Sequence, residues 1–181
     1  VLGIHIAAPG LAIQPGSAID QLGRARLSTV YMPGYKITML PDDVVQTYTL
    51  DEGRANPAVS LYVTIDEATL EFKSSETKLE RVHVAANLRH DQLDSVVTEE
   101  WLTNPAFEHQ NDPQRLSDLR GQLSFLYRLA KELKARREVV RGKPENFNRP
   151  DYTFRLQGNS GGEPDGSEQV SIGTRKRGPP L

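Results

Sequence analysis

The apolar residues of this chain repeat with two different periods, and this change of period constrains the fold more than any other feature. Alternation with a period of two covers residues 58–65, 69–74 and 79–86, and a short apolar run covers residues 2–8. The segment Asp66-Glu67-Ala68 joins the first two, which predicts a β-hairpin. We expect a half-buried antiparallel strand over residues 79–86 and a buried strand over residues 2–8.

Helical spacing, with apolar residues three and four apart, appears in four other segments. Ser17 followed by Asp20 has the pattern of a capping box, so a helix should begin directly after Ser17. The four predicted helices cover residues 18–29, 42–48, 91–103 and 112–141. Two further strands are predicted over residues 152–156 and 168–172. The expected fold class is therefore α/β in the α+β arrangement, a mostly antiparallel sheet with packed helices.

Residues 25–41 (ARLSTVYMPGYKITMLP) carry two tyrosines on either side of a predicted turn. Tyr31 precedes Met32-Pro33-Gly34 and Tyr35 follows it. Proline fixes φ at the first turn position and glycine permits a positive φ at the second, as a type II turn requires. Two alternatives remain for the rings. They are stacking surfaces for nucleic-acid bases, or core residues with hydroxyls at the rim, which the residues alone favour.

Charge is distributed unevenly along the chain, although its net charge is only −2. From Asp42 to Asp112 there are 15 acidic and 5 basic residues, whereas Arg115 to Lys143 contains 9 basic and 3 acidic residues. The basic block is either a footprint for phosphates or a solvated helix face neutralised by the acidic segment. A third hypothesis, an interaction or scaffold domain, rests on the same two blocks.

Several site classes and locations are excluded or disfavoured by composition. Cysteine is absent, so disulfides and thiolate metal sites are excluded. The four histidines show no ligand spacing, and Asp42-Asp43 and Glu99-Glu100 are adjacent pairs that we interpret as helix-end charges. No run reaches the roughly 18 apolar residues of a membrane span, and no signal-peptide pattern opens the chain. We expect a cytoplasmic protein that does not associate with membranes, and the oligomeric state is undetermined.

Several motifs in a fixed order resemble the ribonuclease II / ribonuclease R family, the RNB catalytic domain of 3′→5′ exoribonucleases. They are GIHIA from Gly3, GSAID from Gly16, the Tyr31-x-Pro-Gly run, Met39-Leu40-Pro41, Asn87-Leu88-Arg89-His90-Asp91 and Arg149-Pro150-Asp151-Tyr152-x-Phe154. The matches extend from Gly3 to Phe154, and their combination is more specific than any single piece.

The resemblance implies a processive enzyme that hydrolyses single-stranded RNA from the 3′ end and releases nucleoside 5′-monophosphates. It also implies Mg²⁺, which takes oxygen ligands in octahedral geometry. In the family the aspartate ligands precede the GIHIA-like strand, and an arginine motif and a glutamate follow the later motif. We therefore expect residues 1–181 to be the central part of a single RNB catalytic domain, inactive by itself, without catalytic or metal residues of its own.

By resemblance this segment carries part of the RNA channel. Tyr31 matches a family tyrosine near the 3′-terminal nucleotides, His90 stands where an aromatic commonly stacks on the terminal base, and Phe147 lies near another base-flanking aromatic. Two departures from the family pattern, Ala8 in place of Asp and Asn56 in place of Arg, leave two interpretations open. One is a diverged subfamily. The other, which rests on Ala8 and on His90 in place of the aromatic, is an RNB relative that binds RNA without cleaving it.

Overall fold

An antiparallel three-stranded sheet, in the order β1-β4-β5, organises the first part of the computed structural model. The structure describes residues 1–89, 93–107, 114–144, 151–158 and 164–175. Strand β1 is Leu2–Ala7, β4 is Ala55–Ile65 and β5 is Phe72–His83. The predicted hairpin between β4 and β5 is confirmed. The Asp66 carboxylate accepts hydrogen bonds from the backbone N–H groups of Ala68 and Thr69, which closes the turn.

The sheet differs from the sequence prediction in two respects. Residues 69–74 and 79–86 were expected as separate strands, but β5 is continuous, because backbone pairing with β4 runs through its polar middle, where Thr77 lies opposite Leu61. Strand β1 is not buried. Ile4 and Ile6 are 47% and 65% exposed, because β1 is an edge strand and the sheet face that they share with Val59 is not covered by described residues.

A 3₁₀ helix (Pro9–Leu11), two α-helices and a hairpin lie between β1 and β4. Helix α1 is Ala18–Arg26, a small hairpin pairs β2 (Val30–Met32) with β3 (Tyr35–Ile37), and helix α2 is Asp42–Tyr48. The Ser17 cap is confirmed: its hydroxyl accepts the backbone N–H of Asp20 at 3.3 Å. The Asp20 carboxylate accepts the N–H of Gly16 at 2.7 Å, and this hydrogen bond, with Arg24 beside it, holds the pKa of Asp20 below its usual range.

Helix α1 ends three residues earlier than predicted. Leu27 has a φ of 61°, outside the helical range, and its N–H closes the last turn on the Gly23 carbonyl. Thr29 lies beyond the helix, where its hydroxyl accepts the N–H of Met39 at 3.2 Å. Thr29 thus contacts a segment ten residues away instead of continuing the helix.

A third hairpin pairs β6 (Asp151–Gln157) with β7 (Gln169–Arg175). Both strands were predicted, and β7 begins one residue later than expected and extends further. By contacts the chain divides into two compact units. The first comprises Val1–Asn87 and Tyr152–Gly173, and the second comprises Leu88–Asp151 and Thr174–Leu181. That residues 1–181 belong to one catalytic domain stays a prediction.

The second unit is built on two helices, α3 (Glu99–Thr103) and α4 (Gln114–Arg141). Its buried cluster consists of Leu93, Val96, Val97, Trp101, Leu102, Leu116, Leu123 and Tyr127. The single helix predicted over residues 91–103 is wrong. Leu93 is still helical, but a turn at residues 94–96 interrupts the helix, and the Thr98 hydroxyl accepts the N–H of Trp101 at 3.1 Å, so that a new helix begins there. Asp91 lies outside the described residues.

Helix α4 ends as predicted. The N–H of Gly142 donates to the Glu138 carbonyl, and Gly142 has a φ of 68°. The predicted start at Asp112-Pro113 lies outside the described residues. Among the helices that the structure describes, none is long and apolar enough to cross a membrane. The mixed α/β class with antiparallel sheets is confirmed.

Candidate nucleic-acid interface

The β2–β3 hairpin carries both tyrosines of the motif-bearing segment. Pro33 and Gly34 form its two-residue turn, and Gly34 has a φ of 70°, as the second turn position of type II requires. Tyr31 pairs with Lys36, and Met32 pairs with Tyr35. The turn expected from the Pro-Gly pair is therefore present, and the flanking residues are strands.

The two tyrosines lie on opposite faces of this hairpin, because side chains alternate along a strand. Tyr35 shares its face with the apolar side chains of Val30, Met32 and Ile37 and is 41% exposed. Tyr31 shares its face with Lys36 and is 78% exposed. Tyr31 is thus not part of the buried core of the described residues, and its ring is open to solvent.

The base of the hairpin is tied to α1. The Arg26 guanidinium donates from Nη1 to the Thr38 carbonyl at 2.7 Å, and the Thr38 hydroxyl donates to the Leu40 carbonyl at 2.6 Å. Thr38 is buried. The sequence marks Arg26 only as a basic residue in the last turn of a helix, so nothing in the pattern predicts this anchoring contact. Arg26 thus connects helix α1 to the residue that directly follows the hairpin.

The turn of the hairpin rests against strand β6. A Cβ placed on Gly34 would overlap the side chain of Leu156, so the two chains approach closely there. A cleft of about 380 Å³ lies beside this contact and is lined by Met32, Pro33, Tyr35 and Pro164. The apolar face of the hairpin therefore borders a cleft, whereas Tyr31 on the other face is exposed.

The other two predicted RNA-binding residues, His90 and Phe147, lie outside the described residues. Their proposed roles stay predictions, and the structure does not relate them to Tyr31.

Carboxylates in the described part of the chain do not form a metal site. No three His, Asp or Glu side chains there come together in an arrangement that could hold a metal ion. Asp42 and Asp43 lie in the first turn of α2, and Asp43 accepts the N–H of Val44 at 2.9 Å. Glu99 and Glu100 were expected at a helix end but lie in the first turn of α3, where negative charge is favourable. The described residues do not fit a magnesium centre.

The basic helix is partly neutralised by its own neighbours. Lys131 Nζ lies 3.0 Å from Glu99 Oε1, and Arg136 Nε lies 2.7 Å from Glu132 Oε1. The hydroxyl of Tyr127 and Lys131 both bind Glu99, and these hydrogen bonds lower the pKa of its carboxyl. These pairs support the interpretation of α4 as a solvated helix face.

A polar cluster on the sheet was not anticipated from the sequence. The hydroxyl of Ser60 is fully buried and lies 2.8 Å from His5 Nδ1, and Tyr62 donates to Glu80 at 2.6 Å. Hydrogen bonds from Tyr62 and, to a smaller extent, from Ser60 lower the pKa of Glu80. The Tyr62–Glu80 hydrogen bond also raises the pKa of Tyr62. Since Ser60 has no exposed surface, the cluster is a sheet contact and not a nucleophile site.

The order of elements and the motifs that they carry define an RNB-type α/β fold. The RNB domain family model matches residues 1–177, and the chain belongs to this family. The resemblance to ribonuclease II and ribonuclease R is confirmed.

Three proteins are similar to the chain, one in sequence and two in fold. It is 28% identical to Exoribonuclease 2 of Vibrio vulnificus over 156 residues, which are 86% of this chain and 22% of that protein. The chain thus spans 22% of the length of this curated relative. The chain is also similar in fold to RNase R of Mycoplasma genitalium, whose structure was solved in complex with double-stranded RNA. The TM-score is 0.65 at 18% identity, over 86% of this chain and 26% of that chain. Its complex with ribose methylated single-stranded RNA gives a TM-score of 0.64 at 18% identity, over 86% of this chain and 22% of that chain.

The third relative is yeast Ssd1, described as a pseudonuclease. Its structure gives a TM-score of 0.58 at 24% identity, over 80% of this chain and 15% of that chain. The fold of this chain is therefore also similar to that of a protein described as a pseudonuclease.

Proposed function

We propose that the full-length protein containing this chain is a 3′→5′ exoribonuclease that hydrolyses single-stranded RNA processively to nucleoside 5′-monophosphates. In this proposal the described chain supplies one wall of the RNA channel. The observation that carries it is the RNB family match over residues 1–177, within which Tyr31, the residue that resembles a family tyrosine, is exposed on a short hairpin. RNase R, a relative of similar fold, has been captured with single-stranded RNA.

Magnesium belongs to this proposal as the cofactor of the full-length protein. By the resemblance to the family, the proposal assigns its ligands to the family's aspartate motif. The role of this chain is then to bind and orient RNA, with His90 and Phe147 proposed as further stacking residues.

Tyr31 is the residue that tests the role of this chain. Tyr31→Ala in the full-length protein should weaken RNA binding by about 1–3 kcal/mol, the range for loss of one base–aromatic stack. It should slow cleavage or alter the end-point of the products. Because the ring is 78% exposed, the melting temperature should stay within a few degrees.

The matched control is Tyr31→Phe, which keeps the ring and removes only the hydroxyl. It should bind and cleave RNA like the unaltered protein. A large loss of stability in Tyr31→Ala with unchanged cleavage would show instead that Tyr31 is a packing residue. The cleavage assay is release of monophosphates from an RNA with an unstructured 3′ end in the presence of Mg²⁺.

A second candidate function is an RNB protein that binds RNA without cleaving it. Ala8, where the family commonly has Asp, and the similarity to the pseudonuclease Ssd1 favour this candidate. The same assay separates the two. RNA binding without release of monophosphates by the full-length protein would support the second candidate and contradict the first.

A further inference from the structure

Lys36 lies directly opposite Tyr31 on the same face of the β2–β3 hairpin. Side chains that face each other across two antiparallel strands have Cβ atoms about 4.5–5.5 Å apart. The ammonium group of Lys36, at the end of a flexible four-carbon stem, therefore moves in the space beside the Tyr31 ring. Both side chains are exposed. The hairpin thus joins an aromatic surface and a positive charge in one unit.

The charge of Lys36 is available, in contrast to the other lysines of the first unit. Lys73 Nζ lies 3.4 Å from Asp66 Oδ2, and Lys78 Nζ lies 3.0 Å from Glu76 Oε2. Within the part of the chain that the structure describes, Lys36 makes no ion pair and no side-chain hydrogen bond. No carboxylate of the described residues therefore pairs with the ammonium group of Lys36, which lies on the same face of the hairpin as Tyr31.

We propose that Lys36 binds the backbone phosphate of the nucleotide whose base stacks on Tyr31. This inference rests on the proposed function, because it assumes that RNA lies along this face. Single-strand binders combine a stacking surface for the base with positive charge along the backbone, and the Tyr31–Lys36 pair supplies both for one nucleotide. Since the contact is to a phosphate, it contributes affinity without preference for a base.

Counterion release gives this contact a measurable signature. Each phosphate neutralised on a single strand adds about 0.7 to the slope of log K against log salt concentration. Loss of a stacking contact lowers affinity but leaves that slope unchanged, because no charge is removed. Salt dependence therefore distinguishes the role of Lys36 from that of Tyr31 on the same hairpin face.

The experiment measures binding of a fluorescein-labelled oligouridylate to the full-length protein between 50 and 200 mM KCl, with EDTA present to prevent cleavage. Lys36→Gln should reduce the slope by about 0.7, so that affinity falls roughly 2- to 3-fold less over this range than in the unaltered protein. Lys36→Arg should restore the original slope. An oligoadenylate should give the same change in slope.

The control is Lys73→Gln, which removes a lysine that is already paired within the protein. It should leave the slope unchanged, and Tyr31→Ala should weaken binding at every salt concentration with the original slope. An unchanged slope in Lys36→Gln, together with weaker binding in Tyr31→Ala, overturns the role of Lys36 and leaves the proposed function standing. If the unaltered protein binds no RNA, either in EDTA or when Ca²⁺ replaces EDTA, both the role of Lys36 and the proposed function are overturned.

Discussion

Gly34 is the position where a single methyl group should disturb the hairpin that presents Tyr31. Its φ of 70° lies in the left-handed region, where a residue with a Cβ loses roughly 1–2 kcal/mol. Alanine also restricts the unfolded chain, which offsets about 0.4–1 kcal/mol of this cost. The backbone part of Gly34→Ala should therefore destabilise the chain by about 1 kcal/mol.

The second part of the cost comes from Leu156. A Cβ on Gly34 would overlap this side chain, which would have to leave its rotamer at about 0.5–1.5 kcal/mol. Gly34→Ala should thus cost about 1–3 kcal/mol in total. In a Leu156→Ala background the overlap is removed, so that the same substitution should cost only the backbone part.

Gly16 provides the matched control. It has a φ of 83°, and a Cβ there would meet no atom within 4 Å, so Gly16→Ala should cost about 1 kcal/mol, the backbone part alone. The free energy of unfolding is measured by urea denaturation followed by circular dichroism. Equal costs of Gly34→Ala in the presence and in the absence of the Leu156 side chain would refute the overlap. A cost no larger than experimental error would refute both parts.

Two further predictions concern the second unit. Arg120 donates to three backbone carbonyls at 2.7–3.0 Å and stacks over the ring of Trp101. Arg120→Met should therefore lower the free energy of unfolding, measured by urea denaturation, by about 2–4 kcal/mol. Arg136→Met, which removes the exposed pair with Glu132, should cost less than about 1 kcal/mol. Equal losses in the two variants would contradict the larger stabilisation expected from the three carbonyl contacts of Arg120. The hydrogen bond from Tyr127 lowers the pKa of Glu99 in the folded chain. The ionised Glu99 carboxylate therefore stabilises the fold fully above the pKa of glutamate in the unfolded chain, about 4.3, and this stabilisation is lost at lower pH. The difference in melting temperature between the unaltered chain and Glu99→Gln should therefore be constant from about pH 5 to 8 and shrink below about pH 4, whereas a constant difference down to pH 2 would contradict this assignment.

Local signals in the sequence predicted most element types, whereas long-range contacts set several boundaries. The Ser17 cap was predictable because its partner Asp20 is three residues away. The end of α1 was not, because Leu27 leaves the helical region there without a glycine or proline to signal it, and Thr29 contacts Met39 instead. The division of the predicted helix over residues 91–103 had a visible signal, a threonine before two glutamates, which is a common helix start. Apolar spacing of three and four hid this signal, since a compact turn buries Val96 and Val97 as well as a helix would.

The candidate site was predictable in its residue type and turn, but not in its anchoring. Resemblance singled out Tyr31, and the Pro-Gly pair gave the turn. A two-residue turn at Pro33-Gly34 places Lys36 opposite Tyr31 once the two strands are recognised. The sequence therefore determines this pairing. The hydrogen bond from Arg26 to the Thr38 carbonyl carries no sequence signal, because a backbone acceptor can belong to any residue.

The two tyrosines show why exposure alone does not define a binding surface. Tyr35 is exposed too, but it pairs with Met32 on the apolar face, beside a cleft that also contains Pro164. A ring with only apolar neighbours offers an apolar contact, but no positive charge beside it binds the phosphates of an RNA strand. Tyr31 differs because its only cross-strand neighbour is a lysine without a partner among the described residues. A base with its phosphate needs both a flat surface and a positive charge, and on this hairpin only the Tyr31 face provides the two together.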